Sequence, residues 1–511
     1  MARRASKNAT TQQVMFVLNG GLNYAQSPAD IQNNELKRTQ NWIYDPSTDY
    51  LVVRPGTLCQ TDATVSDTPI RALYYYEQST TVGYLIGAIG AKLYYLSGAS
   101  LNAWTEIGDL TDATTVPSMV TFNAKLIIAD GGADLRTWDG TTYTTIGSSP
   151  QATALAVIKN RVVANMTTEP DSVYLSVTND CESGGAWNTA GSAIGLRCGY
   201  GDNMAVNGFC VLGDDLIVSK VGDKARRLMR VNVADSTATN WYVQSLSDNN
   251  AALGSAHLVQ AYNNVFFADS NGFKSIKGVT EYGDVQVDPI GRRINSVFAD
   301  NTVFDGVYFV PPYNAIWVCI GDLLYCYSER YDAQKGEYVP SFTDLYFSQG
   351  RIRAIACIGD TVYLAGHNGY LYKVDEDTAT DETAPDTYSV YTATARTKTL
   401  TFGVDGLLKR LQFYIKPITA GTATVYVCTS EEDKTALKSV TLQGSGDYLY
   451  DATGYLNDAT GYLYDTGVSA WVETTRNRLR HDEMAFELHV TTGRCGLEWV
   501  RAEVAVLEGG E

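Results

Sequence analysis

Three stretches of this chain share one grammar although few of their residues are identical: "VPSMVTFNAKLIIADGGADLRTWDG" (116 to 140), "SAHLVQAYNNVFFADSNGFKSIKG" (255 to 278) and "RIRAIACIGDTVYLAGHNGYLYKVD" (351 to 375). In each, an apolar strand ends at a turn with Asn or Asp, and a second apolar strand runs to Ala-Asp or Ala-Gly. A Gly-containing turn then leads to a third strand that carries an aromatic. Alternation with a period of two, broken by Asn/Gly and Asp/Gly turns, is the pattern of hairpins. Related units recur from residue 68 to 376 at a spacing of roughly 40 residues, the spacing of propeller blades, in which radial stacking buries both faces of each small sheet. This length is expected to hold roughly six or seven blades, with one polar insertion at 178 to 203. No window of helical length keeps a 3.6-residue apolar period, so the fold class is expected to be all-β.

The segment 377 to 387, within the acidic text "DEDTATDETAPDT", has little to bury and is expected to be a linker. Beyond it, residues 388 to 511 alternate in "LKRLQFYIKP" and "AFELHV", which suggests a two-sheet sandwich with one face of each sheet turned inward. Residues 1 to 67 are expected to form an arm and first hairpin that fasten onto the propeller. Within that arm, Asp30 to Asn41 has the length of one short helix. The repeat "DATGYLNDATGYLYDTG" (451 to 467) sets Tyr455, Leu456, Tyr462, Leu463 and Tyr464 among turn residues. These are either contact material for a partner or the sides of a self-packed hairpin.

A formal charge of -18, from 57 acidic and 39 basic residues, disfavours tight phosphate binding as the main activity. Basic residues occur in separate clusters, among them Arg476, Arg478 and Arg480, which suit carboxylates on a neighbouring subunit. The nine cysteines are odd in number and sit in apolar text, as reduced core thiols would. The start of the chain has no apolar signal core, and no apolar run is long enough for a membrane span.

Catalytic motifs are missing. There is no P-loop, no dinucleotide-binding glycine pattern after a strand, no GxSxG elbow, no HExxH and no paired-cysteine zinc pattern. The four histidines, His257, His367, His481 and His489, have no partner at ligand spacing. No enzyme activity, cofactor or metal is expected.

The opening "GGLNYAQSPADIQNNELKRTQNW", followed by "RPG" at 54 to 56, precedes the repeats. Gly20 and Gly21 allow close backbone approach, and Trp42 is suited to plugging a core or an interface. Gly20, Gly21, Leu22, Asn23, Ser27, Pro28, Glu35, Leu36, Gln40, Asn41, Trp42, Arg54, Pro55 and Gly56 together make this chain resemble the tail nozzle proteins of short-tailed double-stranded DNA bacteriophages. That family is also called tail tubular protein B, or head-completion stabilisation protein. The resemblance implies a structural virion protein in a six-subunit ring below the portal and adaptor. Such a ring bears fibres or spikes, passes double-stranded DNA without binding it, and is assembled in the host cytoplasm into the virion tail. On that reading the lumen loops are net acidic, and the candidate interface comprises Tyr455, Leu456, Tyr462, Leu463, Tyr464, Arg476, Arg478, Arg480 and Trp42. The alternative is a propeller that binds carbohydrate or a cell surface through Tyr and Trp platforms.

Overall fold

The computed structural model describes residues 9–65, 67–97, 101–278, 285–288, 290–300, 303–332, 337–430, 432–442 and 479–507, with 450–451, 454–455, 457–458, 461–462 and 470–475 between the last two. The chain folds as two units. One comprises Met1–Leu58, Tyr325–Ser348 and Val374–Glu511; the other comprises Cys59–Leu324 and Gln349–Lys373.

The second unit is a β-propeller. Its inner strands, Ile70–Ser79, Ser118–Phe122, Leu155–Ile158, Ala205–Leu212, Leu258–Ala261, Phe304–Val310 and Ile352–Ile358, each lie against the next, and the last lies against the first. Five of them head four-stranded antiparallel sheets, and Ile352–Ile358 heads the sixth blade sheet. The Phe304–Val310 strand pairs with Ala315–Ile320, and this hairpin fills the remaining position of the inner ring. Closure is sealed where the entering chain meets the last blade: the Gln60 amide donates to Leu371 O at 2.7 Å, and the Leu371 amide donates to Thr61 Oγ1 at 3.2 Å.

Apolar residues of neighbouring blades share each core. Ile86 and Leu93 pack with Leu126 and Trp138, while Ile70 and Leu85 pack with Ala354 and Leu371 across the closure. Polar side chains add directional joints. The register skips Arg71, Asn207, Asp305 and Arg353, one β-bulge near the start of each of four inner strands. A bulge re-aims its side chain, and all four of these reach towards the next blade or its neighbour. Arg71 donates to the Thr115 carbonyl, Asn207 Nδ2 donates to Ala252 O at 2.8 Å, and Asp305 ion-pairs with Arg351 at 2.5 Å and Arg353 at 3.3 Å. The Ala-Asp signature is a second such joint. Asp130 accepts the Thr111 amide at 2.6 Å and, at the matching position of the next blade, Asn165 accepts the amides of Thr153 and Ala154 at 2.9 and 3.0 Å.

The first unit is a two-sheet β-sandwich to which both ends of the described chain contribute. Leu400–Pro417 and Cys495–Leu507 pair along most of their length, and Ala9–Val17 lines up beside the latter from Ala9↔Leu507 to Val17↔Trp499. The facing sheet pairs Glu35–Gln40, Ala393–Thr397, Arg480–Thr492 and Gly421–Cys428 in that order. Alternate residues point inward, so Leu411, Phe413 and Ile415 meet Phe486, Leu488 and Val490 in one core.

Residues 9 to 58 group with the sandwich strands. Two sequence expectations change here. Asp30 to Asn41 contains the strand Glu35–Gln40 and no α-helix, because Leu36 and Thr39 must face inward beside Ala393–Thr397. The acidic linker is a pair of strands, Thr380–Ala384 and Thr387–Val390, with Asp381 fully buried.

Asp344, in Glu337–Leu345, accepts a hydrogen bond from Thr39 Oγ1 at 2.9 Å. Burial pushes its carboxyl up to about 6, against that hydrogen bond and the charge of Arg38. The folded chain therefore holds a proton here that the unfolded chain has already lost, and stability falls as pH rises from about 4 through 6. Asp344→Asn keeps the acceptor and removes the charge. It is expected to gain about 1–3 kcal/mol at pH 7.5 and almost nothing at pH 3, measured as urea midpoints at the two pH values. An equal shift at both would refute the assignment.

Candidate functional site

The opening stretch makes one interlocked network. Gly21 has φ +69, and a Cβ there would lie 2.6 Å from Phe342 N, so glycine is required on both steric counts. Its amide donates to Tyr44 Oη at 3.0 Å, and Tyr44 donates in turn to Leu18 O at 2.8 Å. Asn23 Nδ2 donates to Glu35 Oε2 at 2.9 Å, and the same carboxylate oxygen accepts the Gln32 amide at 2.8 Å.

Asn41, with φ +61, accepts Arg54 Nε at 3.0 Å and the Tyr346 amide at 2.8 Å on one side-chain oxygen, while its Nδ2 donates to Thr392 O at 2.7 Å. The Arg54 guanidinium lies between the rings of Tyr391 at 3.7 Å and Phe347 at 4.3 Å. It makes a two-pronged ion pair with Asp381, Nη1 to Oδ1 at 2.8 Å and Nη2 to Oδ2 at 2.6 Å. Thr57 and Ser348 complete the shell around that carboxylate. Arg54 and Asp381 are 1% and 0% exposed. These residues organise the sandwich and have no access to a ligand.

Trp42 shares that fate: it is fully buried in the sandwich core and offers no surface to a partner. Tyr455 and Tyr462 end the second strands of two short hairpins, Tyr450–Asp451 with Gly454–Tyr455 and Asn457–Asp458 with Gly461–Tyr462, matching the doubled sequence. Arg480 is exposed at the start of Arg480–Thr492. Leu456, Leu463, Tyr464, Arg476 and Arg478 lie outside the described residues.

Two accessible features stand out in the propeller. The first is an open cavity of about 400 Å³ along four consecutive inner strands, lined among others by Leu73, Tyr74, Tyr75, Val259, Phe309 and Cys357. Its lining has no carboxylate, amine or imidazole. Tyr74 is tied down, since its hydroxyl accepts the Thr121 amide at 2.8 Å, and burial raises its pKa. Burial also pushes the Cys357 thiol up to about 11, so it is protonated at neutral pH and a poor nucleophile. This wall can pack apolar or planar groups; it has no acid–base pair with which to transform them.

The second is Tyr200, 82% exposed, held between Gly199 and Gly201, both at positive φ. Its loop is pinned from below: Lys220, fully buried, donates to both Asp202 carboxylate oxygens at 2.8 Å and also reaches the Cys198 carbonyl. Arg197 lies 5.7 Å from the ring centre. Tyr200 lies within the polar insertion 178 to 203.

Among the described residues, no group of three or more His, Cys, Asp and Glu side chains could hold a metal ion, and all nine cysteines are free thiols. Burial lowers the pKa of His257 and of His489, so both rings are neutral at pH 7. No described helix is long and apolar enough to cross a membrane.

No family model and no curated protein matches the chain. Solved propellers do. The WD40 propeller domain of Doa1 aligns at 11% identity and TM-score 0.38, over 62% of this chain and 97% of that one. BamB from Moraxella catarrhalis aligns at 13% and 0.38, over 71% and 97%, and the Cps50 (Swd1) propeller domain from Myceliophteria thermophila at 10% and 0.41, over 62% and 99%. The propeller assignment stands on the closed ring of inner strands and not on these scores. The chain is an all-β propeller scaffold joined to a sandwich.

Proposed function

We propose that this chain is a non-catalytic binding scaffold and, more specifically, a wall subunit of a bacteriophage tail nozzle. The observation that carries the finer reading is the network just described. The residues by which the chain resembles the nozzle family, from Gly21 and Asn23 to Asn41, Trp42 and Arg54, cooperate in one structural task, organising the sandwich core. A subunit built this way presents a propeller and a sandwich to its neighbours, and rotational closure of such contacts makes a ring.

Purified chain, alone and mixed with portal–adaptor particles from a matching phage, tests this by negative-stain imaging and native mass spectrometry. Six-fold rings, or six copies retained on the particle, are expected. A stable monomer that never joins the particle would overturn the nozzle reading while leaving the scaffold intact.

The second reading, binding of carbohydrate or a cell surface, is favoured by Tyr200 and the aromatic groove, since flat rings stack on sugar faces. It predicts a glycan-array signal that Tyr200→Ala lowers at least about tenfold, the loss of roughly 1.4 kcal/mol of contact.

A further inference from the structure

Three groups meet in the blade headed by Leu258–Ala261. Lys274, at the start of the third strand, directs Nζ to Asp269 Oδ2 at 2.6 Å and to the carboxamide oxygen of Asn250 at 2.7 Å. Asp269, which ends the second strand, is fully buried and also accepts the Asn271 amide at 2.6 Å. Asn250 lies in the segment that leads into the inner strand; its Nδ2 donates to Ser247 Oγ at 2.6 Å, and Ala251 and Ala252 after it are fully buried. A lysine nitrogen, a carboxamide and a carboxylate thus meet at one site, fully buried at Asp269 and partly buried at Asn250.

We propose that Lys274 and Asn250 become joined by an isopeptide bond that the folded chain forms on itself, with Asp269 as the proton carrier. The lysine ammonium passes a proton to Asp269 across their 2.6 Å contact. The free amine adds to Asn250 Cγ while Asp269 returns the proton to the carboxamide oxygen. Asp269 then takes the proton from the new N–H⁺ and delivers it to the departing nitrogen. As the Cγ–Nδ2 bond breaks, Asp269 takes the proton back from the carboxamide oxygen and gives it to the departing ammonia, which leaves as ammonium, so Asp269 ends as the carboxylate it began as. One C–N bond forms and one breaks, with no change of oxidation state and no co-reactant. Holding the reacting groups in contact supplies the proximity such a step needs.

Two comparisons within the fold set this site apart. Asp130 and Arg136 form the corresponding ion pair in another blade, but a guanidinium does not acylate and no carboxamide is described against it. Lys220, the other lysine buried among the described residues, meets Asp202 and backbone carbonyls only.

Intact-mass spectrometry of the full chain, followed by a tryptic map, decides the matter. Residues 231 to 273 contain no lysine or arginine, so Asn250 and Lys274 fall in one tryptic peptide. The expected result is an intact mass lower by one ammonia and no cleavage after Lys274, so that the peptide runs on to Lys277. Lys274→Arg, which keeps the ion pair, and Asp269→Asn should each restore the full mass. An unmodified mass in the wild-type chain overturns the proposal. So does a reduced mass with normal cleavage after Lys274, which would place the lost ammonia at a cyclised Asn271-Gly272 instead.

Discussion

Asp381→Ala is expected to destabilise the sandwich by about 3–5 kcal/mol, because it leaves the Arg54 guanidinium buried between two rings without its counter-charge. Asn41 Oδ1, Pro55 O and Tyr346 O would still accept its protons, but none carries charge. The loss should appear as a lower urea midpoint, and as faster amide exchange in Ala393–Thr397, which pairs with Glu35–Gln40. The double variant Arg54→Met with Asp381→Leu removes both charges and should cost clearly less than the sum of the single changes, since the single changes each strand one partner. Additive losses would show that the two side chains act independently and would refute the account.

Trp42→Ala should cost about 3–5 kcal/mol, the usual penalty for emptying a large aromatic site in a close-packed core. Trp42 packs in the sandwich core with Leu36, Val53 and Leu411, and its indole N–H has no acceptor among the described residues. Trp42→Phe is therefore a sharper test. It opens a smaller cavity and also removes an unsatisfied donor, which by itself costs about 1–3 kcal/mol. Its net loss should fall well below that of the alanine variant. A phenylalanine variant as unstable as the alanine one would show that the loss does not follow the cavity opened and would refute this account.

The propeller was legible because its information is local. Inner hairpins turn at Asn123-Ala124, Lys159-Asn160 and Tyr262-Asn263 with positive φ at both residues, and at Gly213 and Gly359 with glycine first, as does the turn at Gly90 between the second and third strands of its blade. These are the two turn geometries that match strand twist, and Asn and Gly announce most of them. Lys159 and Tyr262 adopt the same backbone with no such announcement, because the strand pairing on either side imposes it.

The sandwich was legible only in part, for the opposite reason. Nothing within "DEDTATDETAPDT" hints that one aspartate will be dry. Its charge is matched by Arg54, 327 positions away, and no local window contains both. In the same way "ELKRTQ" has acceptable helix formers, yet its partners at 393 to 397 make it a strand. Of the proposed contact residues, sequence separated Trp42 poorly from surface aromatics, since a single tryptophan suits a core and an interface equally. The glycines on either side of Tyr200 were the available signal for that exposed ring.

The pairing of Ala9 with Leu507 sets a schedule for biosynthesis. A ribosome releases the whole propeller before it has made Cys495–Leu507, the strand on which Ala9–Val17 rests, so Ala9–Val17 must wait without that partner until the propeller has emerged. Domains fold as units while they emerge, so the propeller is expected to be finished on the nascent chain. The sandwich is then completed only after the propeller, and termination between the two would leave a ring of blades with Ala9–Val17 unpartnered.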